Sequence, residues 1–214
     1  MLTIEAFTFN PYQENTFLLI DSPTNQCIII DPGMHNPQEQ QYFKDYISSN
    51  NLVPTLLLNT HCHIDHVLGN RFISETWGLT PNFHEAEVPV LVAVENYAPQ
   101  MGFRYETSPI PEKFIQDTEV IEFANHHIEA IFAPGHSPGH LCYYIAQQNV
   151  LIGGDVLFRN SIVRTDLPGG DHQTLLKSIR ERIYTLPDDT EVFPGHGPST
   201  TIGFEKQTNP FVKG

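Results

Sequence analysis

Residues 61–66 read His-Cys-His-Ile-Asp-His, four imidazole or carboxylate groups within six positions. Imidazole nitrogen and carboxylate oxygen are donors that zinc and similar divalent ions accept, and crowding them together would otherwise leave costly dipoles side by side. Just upstream, Thr55-Leu56-Leu57-Leu58 is an apolar run of buried-strand character. Continued extension, with its period of two, sends His61, His63 and Asp65 to one side and Cys62 and Ile64 to the other. Downstream, Leu68, Phe72 and Ile73 make the core-facing stripe of a helix over 66–77, with Asp65 as its cap. The six residues are therefore expected where a strand turns into a helix.

Three later stretches end in the same manner. Ile131-Phe132-Ala133-Pro134-Gly135-His136 and Glu191-Val192-Phe193-Pro194-Gly195-His196 run from an apolar strand through Pro-Gly into a histidine, and Val150-Leu151-Ile152-Gly153-Gly154-Asp155 delivers a carboxylate. Proline and glycine stop a strand sharply, and glycine lets the backbone pass close to whatever the next side chain binds. Taken singly, each Gly-His is as well explained by a turn; four ligand-bearing strand ends in one chain favour a shared site. His61, His63, Asp65, His66, His136, Asp155 and His196 exceed one tetrahedral shell. Two ions are expected, with His61, His63 and His136 on the first, Asp65, His66 and His196 on the second, and Asp155 bridging. Such pairs sit about 3.5–4 Å apart, and a bound ion lowers the pKa of water to about 7, so a bridging hydroxide exists at neutral pH. Asp65 is then both a ligand and a catalytic orienter of that hydroxide.

The elements that must hold these groups alternate between strand and helix. Residues 2–9, 16–21 and 26–31 read as an antiparallel meander broken at Asn10-Pro11 and Ser22-Pro23-Thr24-Asn25. Helices are expected at 37–49, 66–77, 85–95 and 172–184, and further strands at 118–123, 127–132, 141–146, 149–153 and 191–193. The stretch 96–114, rich in proline, glycine and aromatics, is an ordered loop. One α/β or α+β layered domain over 1–214 accommodates this pattern. A formal net charge of −14 argues against nucleic acid and anionic membrane surfaces, and no apolar run has the length of a bilayer span. A non-secretory start and three scattered cysteines, Cys27, Cys62 and Cys142, fit a soluble cytoplasmic protein.

The pattern His-X-His-X-Asp-His, followed by Gly135-His136, Gly154-Asp155 and Gly195-His196, resembles the metallo-β-lactamase superfamily along nearly the whole chain. The resemblance implies an α+β fold, a four-layer αββα sandwich with its metal site at one edge of the paired sheets. Thr60 to His66, Gly135-His136-Ser137-Pro138-Gly139-His140, Gly154-Asp155-Val156-Leu157-Phe158, Arg164 to Asp171 and Pro194-Gly195-His196-Gly197 are most similar to small glyoxalase II-type hydrolases. That likeness implies hydrolysis of a small hydroxyacyl thioester with two divalent ions, zinc foremost and iron or manganese also suited. The rival it carries is a persulfide dioxygenase, which uses one iron; the matching ligands are His61, His136 and Asp155. Glyoxalase II enzymes continue past the last histidine into a helical region that helps hold glutathione, whereas only Gly197 to Gly214 follows here, and Val163 stands where many relatives have glycine.

Around the metals the roles are open. Asp31 is either an acceptor for a ligand histidine or the cap of the Asp-Pro-Gly turn. Arg164 either binds a substrate carboxylate or pairs with Asp166 or Asp171. Phe103, with Tyr105, either covers an acyl group or packs over a helix. His35, His84, His126, His127, His140 and His172 are read as structural or solvent-exposed.

Overall fold

β-Prone runs broken by Asn-Pro and Pro-Thr-Asn turns open the chain, and the computed structural model, which describes residues 2–214, folds them into a meander. Strands β1 (Leu2–Phe9), β2 (Glu14–Asp21) and β3 (Gln26–Ile30) pair antiparallel, with Asn10, Gln13 and Asn25 in the left-handed backbone region at the turns. Helix α1 (Pro37–Ser49) starts with Pro37 in its first turn and with the Asn36 side chain accepting the Glu39 N–H. It returns the chain to β4 (Val53–Leu58), parallel to β3. Then follow α2 (Ile64–Val67), α3 (Asn70–Trp77), the short β5 (Pro81–Asn82) parallel to β4, and α4 (Val88–Tyr97). The sheet order is β1-β2-β3-β4-β5.

These elements belong to the first of two compact units, which runs to Phe83 and resumes over Val88–Phe114. Phe7, Leu18, Ile29 and Leu57 from the sheet pack with Phe43 and Ile47 of α1 and Ile73 of α3. Each such side chain contributes about 1.5–3 kcal/mol on full burial. β2 is buried along its whole length, so it shows none of the in–out alternation of a half-exposed strand.

Two expectations fail near the ligand-rich hexad. β4 ends at Leu58, short of the hexad, and His63 takes the N-cap position of α2, so Asp65 lies in a helical turn and its place is not set by strand alternation. The helix expected over 66–77 is divided at Leu68-Gly69. Gly69 donates its N–H to the Pro32 carbonyl at 2.7 Å, and a Cβ there would lie 2.2 Å from the Met34 sulfur. Close passage against that turn sets α2 apart from α3.

The second unit comprises His84–Glu87 and Ile115–Gly214. Its strands β6 (Val120–Phe123), β7 (His126–Phe132), β8 (Leu141–Ile145) and β9 (Val150–Gly154) form antiparallel pairs in succession. A hairpin of β10 (Leu157–Phe158) and β11 (Ser161–Ile162) precedes α5 (His172–Ser178), capped by Asp171. β12 (Glu191–Pro194) lies parallel to β9 and pairs antiparallel with β13 (Thr200–Thr201), from which α6 (Ile202–Thr208) follows. The order is β13-β12-β9-β8-β7-β6, and Ile131, Leu151 and Val192 pack with Leu175, Ile179, Ile183 and Ile202. The helix expected over 172–184 is α5 continued by a π turn over Ile179–Ile183. Among the described residues, no helix is long and apolar enough to cross a membrane.

Asp117 ties this unit's sheet to its helical layer. It accepts two hydrogen bonds from the Arg182 guanidinium, at 2.9 and 2.7 Å, and the Phe132 N–H at 2.9 Å. The Arg182 bonds hold its carboxyl below the usual carboxylate range. A depressed value stabilises the fold above the ordinary carboxylate pKa and is lost as pH falls through the depressed one. Because both side chains are partly exposed, Asp117→Asn is expected to cost only about 1 kcal/mol, or about 2–4 °C in Tm, at neutral pH. The difference should shrink on acidification in paired denaturation curves; one that widens towards acid would contradict this origin.

Candidate metal centre

In the first unit the ligand-type side chains are aimed by Asp31. This residue follows β3 with a left-handed φ of 50° and donates its own N–H to the Leu58 carbonyl, where β4 ends. Its carboxylate accepts the Thr60 N–H at 2.7 Å and the Thr60 hydroxyl at 2.6 Å. His66 Nδ1 lies 3.1 Å from the same carboxylate, and His61 Nδ1 lies 3.0 Å from Thr60 Oγ1. The tautomers follow from these partners. A threonine hydroxyl has one proton, and Asp31 takes it, so Thr60 Oγ1 accepts from His61 Nδ1–H; the carboxylate likewise accepts from His66 Nδ1–H. Neutral His61 and His66 therefore each carry the acceptor lone pair on Nε2, the form in which histidine binds a metal.

The rings crowd accordingly. His61 and His66 centroids are 4.1 Å apart, His61 and His63 4.9 Å, and Asp65 Oδ2 is 3.8 Å from His66 Nε2. His61 and His66 are fully buried. Ligand atoms of Asp31, His61 and His66 also fall within 4.8 Å of one another, but both Asp31 oxygens serve Thr60, which leaves Asp31 supporting the histidines. Buried Glu14 stands 4.0 Å from His66 Nδ1 and accepts from Thr16. Burial, reinforced by Asp31 and Asp65, pushes its pKa well above the carboxylate range despite His66.

In the second unit His136, Asp155 and His196 stand at the ends of β7, β9 and β12. Asp155 Oδ2 is 3.6 Å from His136 Nε2 and 3.6 Å from His196 Nε2, so one carboxylate oxygen lies equally near both imidazoles. His136 Nδ1 lies 2.8 Å from the Arg164 carbonyl, which only accepts, so its Nε2 too is the acceptor. Gly135 makes the approach possible at φ 134°: a Cβ there would lie 2.3 Å from the Leu175 amide nitrogen of α5. The Gly135–His140 turn is fastened by buried Glu87, which accepts the Ser137 hydroxyl at 2.5 Å and the Gly139 N–H at 2.6 Å. His140 Nε2 accepts the Asp155 N–H at 2.9 Å and fixes the backbone that carries the carboxylate.

Within the first unit the structure thus gathers His61, His63, Asp65 and His66, and within the second His136, Asp155 and His196. Arg164 forms a bidentate pair with Asp166, both bonds 2.7 Å, which holds that exposed carboxyl down to about 2. Phe103 is buried, its ring 5.7 Å from Tyr12 and 5.7 Å from His35. Sequence reasoning missed Thr60, Glu14 and Glu87 as supports and set His140 aside. For His140 a signal existed, a second Gly-His four residues after the first; Glu87 gave none.

Nitrogen and oxygen donors with their protons turned away, set among acidic groups, fit a divalent cation. Supports of this kind are worth about 10–100-fold in metal affinity. Asn tolerates the left-handed backbone of position 31 yet has one acceptor oxygen where Asp31 uses two, so its NH2 would face either the Thr60 N–H or the Thr60 hydroxyl and His66. Asp31→Asn is expected to weaken zinc retention by about that factor in chelator competition, with the fold kept; unaltered retention would leave Asp31 as a turn cap only.

A model of the metallo-β-lactamase superfamily matches residues 9–196, a span that ends on the last histidine of the pattern. The chain is 35% identical over 217 residues to the hydroxyacylglutathione hydrolase GloC of Haemophilus influenzae, covering 99% of this chain and 98% of that one. Among solved structures it is similar to the BLEG-1 B3 metallo-β-lactamase, with TM-score 0.90, 33% identity and 99% and 100% of the two chains covered. It is also similar to TTHA1623 in a di-iron-bound form, with TM-score 0.86, 33% identity and 97% and 100% covered. The α+β fold expected from the motifs is the fold these structures share, and the chain belongs to the metallo-β-lactamase superfamily.

Proposed function

We propose that this protein is a binuclear metal-dependent hydrolase of small thioesters, with His61, His63 and His136 holding one ion, Asp65, His66 and His196 the other, and Asp155 serving both. The observation that carries the reading is the common lock on His61, His66 and His136: each Nδ1 is committed to an oxygen acceptor, which leaves Nε2 as the ligand atom. Support for two ions comes from Asp155 Oδ2, equidistant from two imidazoles, and from the di-iron form of a relative with 33% identity. Support for the thioester comes from the name of the GloC relative, which spans the whole chain.

Two bound divalent ions would supply a water acidic enough to attack at neutral pH and a Lewis acid for the scissile carbonyl. The chain's own contribution is positional. Thr60, Asp31 and the Arg164 carbonyl keep imidazole protons away from the ligand atoms. His140 holds the Asp155 backbone, and the Asp65 carboxylate, the most exposed donor of the hexad, would orient the attacking water by accepting a hydrogen bond from it. Arg164, occupied by Asp166, is not assigned to substrate.

Asp155→Asn is expected to lower metal content and thioester hydrolysis together. Metal quantification on natively expressed protein should give about two ions per chain, with activity on a panel of hydroxyacyl thioesters above that on β-lactams. Full metal content with undiminished turnover in Asp155→Asn would remove the bridge. One redox-active iron with oxygen uptake on a persulfide would replace hydrolysis by the dioxygenase reading.

A further inference from the structure

Among the ligand-type histidines only His196 is not buried. Its side chain is 25% exposed, against 4% for His136, so the direction of its ring depends on the few groups packed against it. One of them is the ring of Phe158, at the end of β10, with centroids 6.2 Å apart and planes at 80°, the edge-to-face arrangement that aromatic rings favour. The two rings ride on separate excursions of the chain. The loop from β12 to β13 carries His196, and the β10–β11 hairpin carries Phe158.

Glu205 of α6 reaches both excursions. This fully buried side chain accepts the Thr200 hydroxyl at 2.5 Å, the Asn160 N–H at 3.1 Å to each of its two oxygens, and the Asn209 side-chain amide at 2.8 Å. Thr200 closes the His196 loop at its far end, where it pairs with Val192; the near end is held by the Gly195 N–H on the Gly154 carbonyl at 2.9 Å, next to Asp155. Asn160 is the left-handed residue of the hairpin turn, with φ 55°. Asn209 adds a second tie, its amide donating also to the Ser161 carbonyl at 3.0 Å while its oxygen accepts the Phe211 N–H at 3.0 Å. Loop and hairpin thus share one anchor. Since the anchor is buried, neither segment can shift without stranding a donor away from water.

We propose that Glu205 is a positioning residue for His196, holding the loop and the hairpin at the spacing at which the Phe158 ring fixes the rotamer of the imidazole. This rests on His196 being a ligand of the metal centre proposed above. His61, His66 and His136 are aimed by oxygen acceptors on their own ring nitrogens. Glu205 acts one step further out, through backbone and a packed ring, and so gives a buried acid outside the ligand set a part in arranging it.

Histidine-ring NMR on the metal-free protein, together with zinc affinity by chelator competition, tests this on Glu205→Gln, Thr200→Val and Phe158→Leu. Asp117→Asn, which loosens the same unit elsewhere, is the control, and His196→Gln assigns the His196 resonances. Phe158→Leu removes the ring current on His196, and Glu205→Gln and Thr200→Val are expected to move the same resonances towards their Phe158→Leu positions. Each of the three variants should weaken one of the two zinc affinities about tenfold and spare the other. The Glu205→Gln, Thr200→Val double variant should bind no worse than the poorer of its parents, because both cut one linkage. Asp117→Asn should change neither reading. His196 resonances that keep their wild-type positions in Glu205→Gln and Thr200→Val, or zinc affinities lowered no further than in Asp117→Asn, overturn the assignment. Should the wild type bind fewer than two zinc ions, the binuclear reading fails, and the metal-free resonances alone decide the role of Glu205.

Discussion

The fixing of ring protons by oxygen acceptors is the interaction on which the site depends. A histidine can present either nitrogen, and a cluster of unconstrained imidazoles would populate tautomers with N–H groups facing one another. Thr60 and Asp31 remove that freedom for His61 and His66, and the Arg164 carbonyl removes it for His136. None of the three acceptors can donate to its imidazole, because the one hydroxyl proton is spent on Asp31. The resulting pattern is a set of buried lone pairs that only cations or donors satisfy. Burial makes this costly to leave unmet, and hence selective for what meets it.

The backbone around these acceptors is shaped by the same requirement. Asp31 reaches Thr60 only because β3 and β4 are parallel neighbours ending at the same level, with the Asp31 N–H on the Leu58 carbonyl. In the other unit, Glu87 holds the turn bearing His136 and His140, and His140 then holds the Asp155 backbone. Asp155, His136 and His196 thus follow β9, β7 and β12, Asp65 and His66 lie in α2, and His66, His136 and Asp155 are each steadied by a residue distant in sequence. Strand ends suit this work, since their outermost carbonyls and amides lack ladder partners and turn to side chains instead.

Much of this was legible in the sequence, and the limits have physical causes. The meander was readable from β-prone runs broken by Asn-Pro and Pro-Thr-Asn turns, and the strands leading into Asp155 and His196 from hydrophobic runs ended by Gly-Gly or Pro-Gly. The hexad's chemistry was readable from residue type alone. Its geometry was not: β4 ends at Leu58, α2 begins after His63, and the close approach of Pro32 and Met34 to Gly69 separates α2 from α3. Two-residue strands such as β5 and β13 carry no periodicity at all. Glu87, fifty residues before the serine it holds, and Glu14, fully buried, look like ordinary surface acids until the fold surrounds them.

X-ray absorption on the zinc-reconstituted protein tests the central claim most directly, since it reports donor type and metal–metal distance without reference to any substrate. Imidazole-rich nitrogen and oxygen shells, with a second zinc about 3.5–4 Å away, are the expected result. Sulfur scattering from Cys62, or isolated ions with water-dominated shells and no imidazole signature, would show that the ordered tautomers serve something other than a metal pair.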